Sequence, residues 1–420
     1  MEIYPAPWDT LGKAADASGN AANPRVAIDV GLLTGGFDKP YAFGLAMALT
    51  SKGVRLDVIG SDEVDSPEMH VNPELKFLNL LRRQPGDASL ARRASRMLAY
   101  YVRLFAYAAS AKPKIFHILW NNKFQFFDRT LLTLYYKLLG KRIVFTAHNV
   151  NAGKRDSNDS WLNRLTLRIQ YRLADHIFVH TDKMKSELLE DFGVRRRAVT
   201  VIPFGINNSA PDTDLTPEQA KQRLGLRDSE RTILFFGRIG PYKGVHFLTA
   251  AFQRIAARNS AYRLIIAGKL RGGCEEYLEE IERSISLGGY GTRIIRKIGY
   301  IPDAETEVYF KAADVLALPY TQVSQSGVLF LGYRFGLPVV ATDVGSFREE
   351  IVEGRTGFLC KPCDPVELAN TIEAYFASDL FKELKSRRRQ ICAYACERHS
   401  WDFVGETTRN VYFQLLAEQP

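Results

Sequence analysis

The 420-residue sequence predicts an α/β protein of two doubly wound, parallel-sheet domains facing across a cleft. Three observations predict it. The chain is too long for one ordinary core and suits two units of roughly 150–200 residues. Short apolar runs alternate with helical stretches in both halves, as in parallel strands buried on both faces. Between the halves lies a polar stretch, residues 206–230, rich in Asn, Asp, Pro, Thr and Ser, which reads as a linker.

Taken in order, residues 1–24 are rich in Ala, Gly, Asn and Asp, with neither a basic start nor an apolar run. They read as a flexible leader rather than a secretory signal. The N-terminal domain, 25–205, opens with a strand over 25–30, a glycine-containing loop over 31–36 and a helix from Tyr41 to Lys52. Further strands are expected over 55–59, 115–119, 142–146, 176–179 and 199–202. The linker holds one short helical piece over 217–224. The C-terminal domain, 231–398, restarts the grammar with strands over 232–236, 263–267, 294–298, 315–318 and 338–341. Each ends at Gly, Pro or a polar residue, the place where doubly wound sheets bind ligands. The last segment, 399–420, carries Phe403, Val404, Val411, Tyr412 and Leu415 at helical spacing and is expected to pack back toward the N-terminal domain.

Composition narrows the class. A hydrophobic share of 46% and a charged share of 25% are those of a globular protein. Residues 1–205 hold 29 Lys and Arg against 20 Asp and Glu, whereas residues 206–420 hold 27 of each. The whole excess of +9 therefore sits in the first half, and the two halves face different partners. Much of it lies in Arg82, Arg83, Arg92, Arg93, Arg96 and Arg103, with a second run over 195–197. Over 92–112 the charges are interleaved with Met97, Leu98, Tyr100, Tyr101, Leu104, Phe105 and Tyr107. That pattern fits a basic amphipathic helix on an anionic membrane surface. The plainer reading, an ordinary surface helix with one core face, is the one preferred. No groove-reading or RNA-binding motif accompanies the basic residues, which argues against nucleic acid. No stretch reaches the ~20 apolar residues of a membrane span. The expectation is a cytoplasmic chain, with peripheral membrane contact as the alternative. Five cysteines, an odd number, argue against a disulfide framework. Cys360 and Cys363 have metal-like spacing, but no second pair completes four ligands, so no metal is expected.

The chemistry concentrates in the second half. Gly237-Arg238 leads through Ile239, Gly240, Pro241 and Tyr242 to Lys243-Gly244, directly after a buried strand. Glycines let a backbone approach a phosphate, and Arg and Lys neutralise its oxygens. A second strand runs from Leu318 through small polar residues to Gln325, Ser326, Gly327 and Val328, where a helix begins. A helix start presents free N–H groups and the positive end of its dipole. The plain alternative is a helix capped by the Ser326 side chain.

Several motifs stand in a fixed order: Gly237-Arg238 with Lys243-Gly244, then Ala267-Gly268, then Gly299-Tyr300-Ile301-Pro302-Asp303, then Ala313-Asp314. Gly336 to Gly345 and Gly354 to Phe358 follow. Together they resemble glycosyltransferase family 4, whose members have the GT-B fold of two Rossmann-like domains. The likeness is dense over 231–375. In the first half it rests on Gly35-Gly36, on Thr146-Ala147-His148-Asn149 and on Val201 to Gly205. The resemblance implies a nucleoside-diphosphate-sugar substrate, no cofactor, and a saccharide or lipid-linked saccharide acceptor, as in cell-surface polysaccharide synthesis. It also implies roles. Arg238 and Lys243 would hold the donor diphosphate with the N–H groups of Gly327 and Val328, and Tyr300 and Ile301 would lie against the base. Gly35 and Gly36 would admit phosphate and sugar, with Gly237 and Gly268 shaping the facing loop. His148 would sit beside the transferred sugar; its alternative is a packed imidazole at a strand end. One departure stands out. Most of the family carries two glutamates eight residues apart around the second phosphate element. Here those positions are Val323 and Leu331 or, with a one-residue gap, Ser324 and Gly332, and neither pair holds a carboxylate. Gln325 and Ser326 remain as hydrogen-bonding groups for the sugar.

Overall fold

The first apolar runs fold as β1 (Ile28–Leu33), β2 (Val54–Ser61), β3 (Leu75–Leu81), β4 (Ile115–Ile118), β5 (Arg142–Thr146), β6 (His176–Val179) and β7 (Val199–Val201). They form one parallel sheet in the order β3-β2-β1-β4-β5-β6-β7. After the linker come β8 (Arg231–Phe236), β9 (Tyr262–Gly268), β10 (Ile294–Ile298), β11 (Val315–Leu318), β12 (Val339–Thr342) and β13 (Gly357–Cys360). These form a second sheet, β10-β9-β8-β11-β12-β13, again parallel throughout. Both sheets are doubly wound, with the order reversing between β1 and β4 and between β8 and β11. Crevices at such reversals are where open α/β sheets bind ligands. This computed structural model describes residues 28–36, 38–81, 90–122, 124–155, 158–206 and 210–418. The expected leader, the pair Arg82 and Arg83, and residues 207–209 of the linker lie outside the described residues.

Every residue of β4, β6, β11 and β12 is buried, as expected of strands covered by helices on both faces. Two strands escaped the sequence reading. Both are edge strands, β3 broken by Lys76 and Asn79 and β13 only four residues long, so neither presents a full apolar run. A third difference concerns the first loop. Gly31 lies inside β1 against the ring of Phe116, and the turn itself is Thr34 to Gly36.

The helix Pro217–Arg223 begins with a capping box between Thr216 and Gln219. Its Lys221 ammonium reaches the Asp314 carboxylate at 3.0 Å, which ties the polar stretch to the C-terminal sheet. The final helix, Trp401–Ala417, returns to the N-terminal domain, where Val404, Val411, Tyr412 and Leu415 join the core around Leu45 and Leu49. Trp401 fills the space left by Gly44 and Gly205: a Cβ on either would come within 2.3 Å of its ring. Its indole N–H donates to the Ile206 carbonyl at 2.8 Å. The basic segment forms the helix Leu90–Ser110, with Tyr100, Tyr101 and Leu104 buried in the core and Leu98 and Val102 facing out. All five cysteines are free.

Candidate active site

The two sheets point the C-terminal ends of their strands at one another. On the C-terminal side, β8 ends at Gly237-Arg238, and a Cβ on Gly268 at the end of β9 would lie 1.7 Å from the Gly237 carbonyl oxygen. Only glycine tolerates that approach together with a φ of 152°. The loop is then zipped to its neighbour by Ile239 N–H to Lys269 O at 2.9 Å and Arg271 N–H to Ile239 O at 2.8 Å. This leaves Arg238 exposed, with no hydrogen bond or ion pair among the described residues. Lys243 ends a tight 3-10 turn, Pro241–Lys243, and is buried. Its ammonium stands 3.6 Å from the centre of the Tyr320 ring, a desolvated cation–π contact of about 2 kcal/mol.

Tyr320 links the two phosphate-type elements. Its hydroxyl lies 3.2 Å from the Ser326 Oγ, at the start of the helix Gly327–Arg334. Ser326 is therefore not the helix's side-chain cap, and the expected alternative of a Ser-capped start does not hold. Among the described residues no protein acceptor takes the N–H groups of Gly327 and Val328. Gln325 is similarly unsatisfied: both its amide oxygen and its amide nitrogen are buried without partners. These groups surround a cavity of about 330 Å³ lined by Lys243, Gln325, Ser326, Gly327 and Val328, together with Asp38 and Tyr41 from the facing domain. Val323 and Leu331 also line it, whereas Gly332 packs against Leu316. Of the two counts for the missing carboxylates, the ungapped one therefore falls in the cavity wall.

On the N-terminal side, Gly35 and Gly36 form the turn after β1 with φ of 62° and 77°. A Cβ on Gly35 would lie 2.8 Å from the Trp120 carbonyl. The turn runs into Asp38, which caps the helix Lys39–Ser51 by accepting the Tyr41 N–H at 3.4 Å. Desolvation raises the carboxyl of Asp38, an exposed residue at the cavity rim, to about 6, partly countered by that N–H. His148 follows β5 and lies flat on Trp120, centroids 4.1 Å apart and planes 4° apart, with the Tyr41 ring edge-on at 4.5 Å. Its Nδ1 is 3.0 Å from Nε2 of His180, which follows β6. Burial, then the His180 and His117 rings, hold His148 well below the usual imidazole range. Its Nε2 is shielded from water and has no hydrogen-bond partner among the described residues.

The sequence-picked residues thus divide. Lys243, Gln325, Ser326, Gly327 and Val328 share one cavity, and Gly237 abuts it, since its Cβ would meet Val328 at 3.1 Å. His148 does not line the cavity itself but packs against two residues that do, Tyr41 and Phe204. Gly35, Gly36, Arg238 and Gly268 frame the cleft without lining the cavity. Tyr300, exposed, and Ile301, buried, follow β10 at the far edge of the second sheet. Asp38, Tyr320 and His180 were missed. Asp38 had a legible signal, an Asp two residues before Pro40 at a helix start. Tyr320 and His180 had none beyond standing at strand ends.

A family model described as group 1 glycosyl transferases matches residues 230–378, and one described as Glycosyltransferase Family 4 matches residues 40–209. The chain belongs to this glycosyltransferase family. An uncharacterised glycosyltransferase of Methanocaldococcus jannaschii is 28% identical over 54% of this chain and 57% of that protein. A D-inositol 3-phosphate glycosyltransferase of Corynebacterium urealyticum is 28% identical over 58% of this chain and 57% of its own length. The matched part of the chain therefore spans under three fifths of these relatives. Two solved structures share the fold. Sucrose-phosphate synthase from Thermosynechococcus elongatus aligns with a TM-score of 0.75 and 19% identity, covering 93% of this chain and all of that one. The Anabaena protein HepE, in complex with UDP and glucose, aligns at 0.72 and 18%, covering 92% of this chain and all of its own. The architecture of this family member is the GT-B arrangement of two Rossmann-like domains.

Proposed function

We propose that the chain transfers a sugar from a nucleoside-diphosphate donor to an acceptor hydroxyl in the cleft between its domains. The observation that carries this reading is the pair of unpaired N–H groups at Gly327 and Val328 beside Lys243, at the reversal point of the second sheet. A diphosphate fits there. As it leaves, its growing charge meets the Lys243 ammonium, the helix start and the Arg238 guanidinium, which can swing in from solvent. Stabilisation by preorganised donors of this sort is a large part of a transfer enzyme's rate. The route we propose needs no metal ion, since the Lys243 ammonium, the Arg238 guanidinium and the helix start supply the positive charge. Tyr300 and Ile301 would take the base, and Gln325 the sugar or ribose hydroxyls that the missing carboxylates would otherwise bind. Among the described residues Asp38 is the one carboxylate lining the cavity, and it would face the positive charge that develops on the sugar.

HepE's UDP complexes make UDP-sugars the first donors to try. The test is a thermal-shift screen of UDP, GDP, ADP and their sugars, since a ligand of the native state raises the midpoint. At least one diphosphate is expected to raise it, and its sugar to be turned over equally well in EDTA. A flat response to every nucleotide would sink the reading. The absent glutamates favour a second one, a non-catalytic nucleotide-sugar-binding homologue. It would show binding without donor consumption across a panel of acceptors.

For the acceptor, a cavity of about 780 Å³ adjoins the first, and Val323 lines both. Its walls carry Asn149, Asn151, Ser324 and Glu187, groups suited to saccharide hydroxyls. A lipid-linked saccharide is the acceptor we favour, in cell-surface polysaccharide synthesis. Among the described residues no helix is long and apolar enough to cross a membrane. Leu98 and Val102, Leu131, Leu134 and Leu138, and Trp161 are nevertheless exposed on three neighbouring helical stretches, beside Arg92, Arg103 and Arg168. Such a face suits the surface of an anionic bilayer. Salt-sensitive flotation with anionic vesicles, lost in Leu134→Ser/Leu138→Ser, is expected; no flotation at low ionic strength would remove the membrane part of the proposal.

A further inference from the structure

β4, β5 and β6 are adjacent, and their ends set Trp120, His148 and His180 side by side. Stacking on Trp120 fixes the plane of the His148 ring but not which nitrogen carries the proton. His180 settles that. Its Nδ1 lies 3.2 Å from the carbonyl oxygen of Ile202. A carbonyl only accepts, so this nitrogen bears the proton. A neutral His180 then has its lone pair on Nε2, 3.0 Å from Nδ1 of His148. Nδ1 of His148 must therefore donate, and the remaining lone pair of a neutral His148 is on Nε2. That atom is shielded from water and has no protein partner among the described residues. Burial keeps both rings neutral in ordinary buffers, with His180 lowered to about 4 and His148 held well below the usual imidazole range by burial and then by its imidazole neighbours.

We propose that His180 is a positioning residue that locks His148 in the Nδ1–H form, reserving Nε2 as a hydrogen-bond acceptor for a substrate hydroxyl. The inference deepens, and rests on, the glycosyltransferase reading. It gives the site a chemical preference. A sugar presenting a hydroxyl at Nε2 satisfies the lone pair. One presenting an ether oxygen or a carboxylate there sets acceptor against acceptor, and a buried polar group left unmatched is the usual source of strong discrimination.

The test has a spectroscopic arm and a kinetic arm. Long-range ¹H–¹⁵N spectra of the labelled full chain should show His148 protonated on Nδ1 and bare on Nε2. His180→Gln can still accept from Nδ1 through its amide oxygen, whereas His180→Phe keeps a ring but cannot accept. Donor hydrolysis of UDP-glucose should fall about 10–100-fold in kcat/KM for His180→Phe. Most of that loss should be recovered in His180→Gln, with the midpoint shift given by UDP unchanged in both. An Nε2–H form of His148 in the wild type overturns the proposal, as does equal impairment of the two variants. Should His180→Phe fail to fold, the wild-type spectrum and the activity of His180→Gln decide. A wild type whose midpoint shifts with none of UDP, GDP, ADP or their sugars counts against the glycosyltransferase reading instead, and the spectrum still tests the lock.

Discussion

The two shelves of strand ends that face each other across the cleft are built from different material. The C-terminal shelf offers backbone N–H groups and cations: Gly327, Val328, Lys243 and, from solvent, Arg238. The N-terminal shelf offers rings: Trp120, Tyr41 and His148 in mutual contact, with His180 against Tyr41 and His148. The first is electropositive and suits a leaving anion. The second, apart from the Asp38 carboxylate, is neutral and directional and suits hydroxyls. The difference teaches that the leaving group's negative charge is handled on one side of the cleft and hydrogen-bond polarity mainly on the other. Substitutions on the two sides should therefore fail in different ways.

The largest separation is expected at Arg238. Arg238→Ala should lower kcat for donor turnover by about 10²–10³, the effect of losing one preorganised donor. The unfolding midpoint should hardly move, because an exposed side chain without partners contributes within about 0.5 kcal/mol. Comparable activity loss with marked destabilisation would mean that Arg238 is structural. Next comes Lys243→Met, which keeps the stem and removes the ammonium from the Tyr320 ring. Here activity and stability should fall together, the latter by about 2 kcal/mol in a denaturant titration. An unchanged stability would show that the contact with Tyr320 contributes nothing.

The smallest effect belongs to the N-terminal shelf and appears in acid. Folding lowers His180 to about 4 from an ordinary 6.5, so between these values the unfolded chain binds a proton that the folded chain refuses. That term favours folding fully above about pH 6.5 and is lost as pH falls toward 4. His117, lowered to about 3, and His176, lowered to about 4, act in the same sense. Asp38 and Asp128, each raised to about 6, act oppositely, because the folded chain binds their protons more readily between about 4 and 6. Comparing wild type with His180→Gln cancels the shared contributions. The variant should lose stability less steeply between pH 6 and 4.5, by up to about 1.4 kcal/mol per pH unit. Parallel curves would mean that His180 titrates normally in the folded chain.

How much of this was legible follows the same division. The phosphate shelf is local in sequence: Gly237-Arg238 to Lys243 and Gln325 to Val328 are two short runs, each after an apolar strand. Their strand, turn and helix-start signals could be read directly, and the two-sheet fold with them. What could not be read is side-chain contact between distant strand ends. Tyr320 beneath Lys243 and His180 beside His148 depend on register and ring orientation, which no spacing encodes. The edge strands β3 and β13 were illegible for a plainer reason, since a strand with one neighbour need not be apolar throughout. The choice between Leu331 and Gly332 for the missing glutamate needed the helix Gly327–Arg334 to show which residue faces the cavity.

The central claim is that the β-phosphate of the donor is held by the Arg238 and Lys243 side of the cleft. Calorimetric titration of UDP and UMP into wild type and Arg238→Ala tests it most directly. The wild type should bind UDP about 10–100-fold more tightly than UMP, the range of one or two charge-assisted hydrogen bonds. In Arg238→Ala that ratio should shrink by about tenfold while UMP affinity stays the same. An identical UDP-to-UMP ratio in the two proteins would contradict the account.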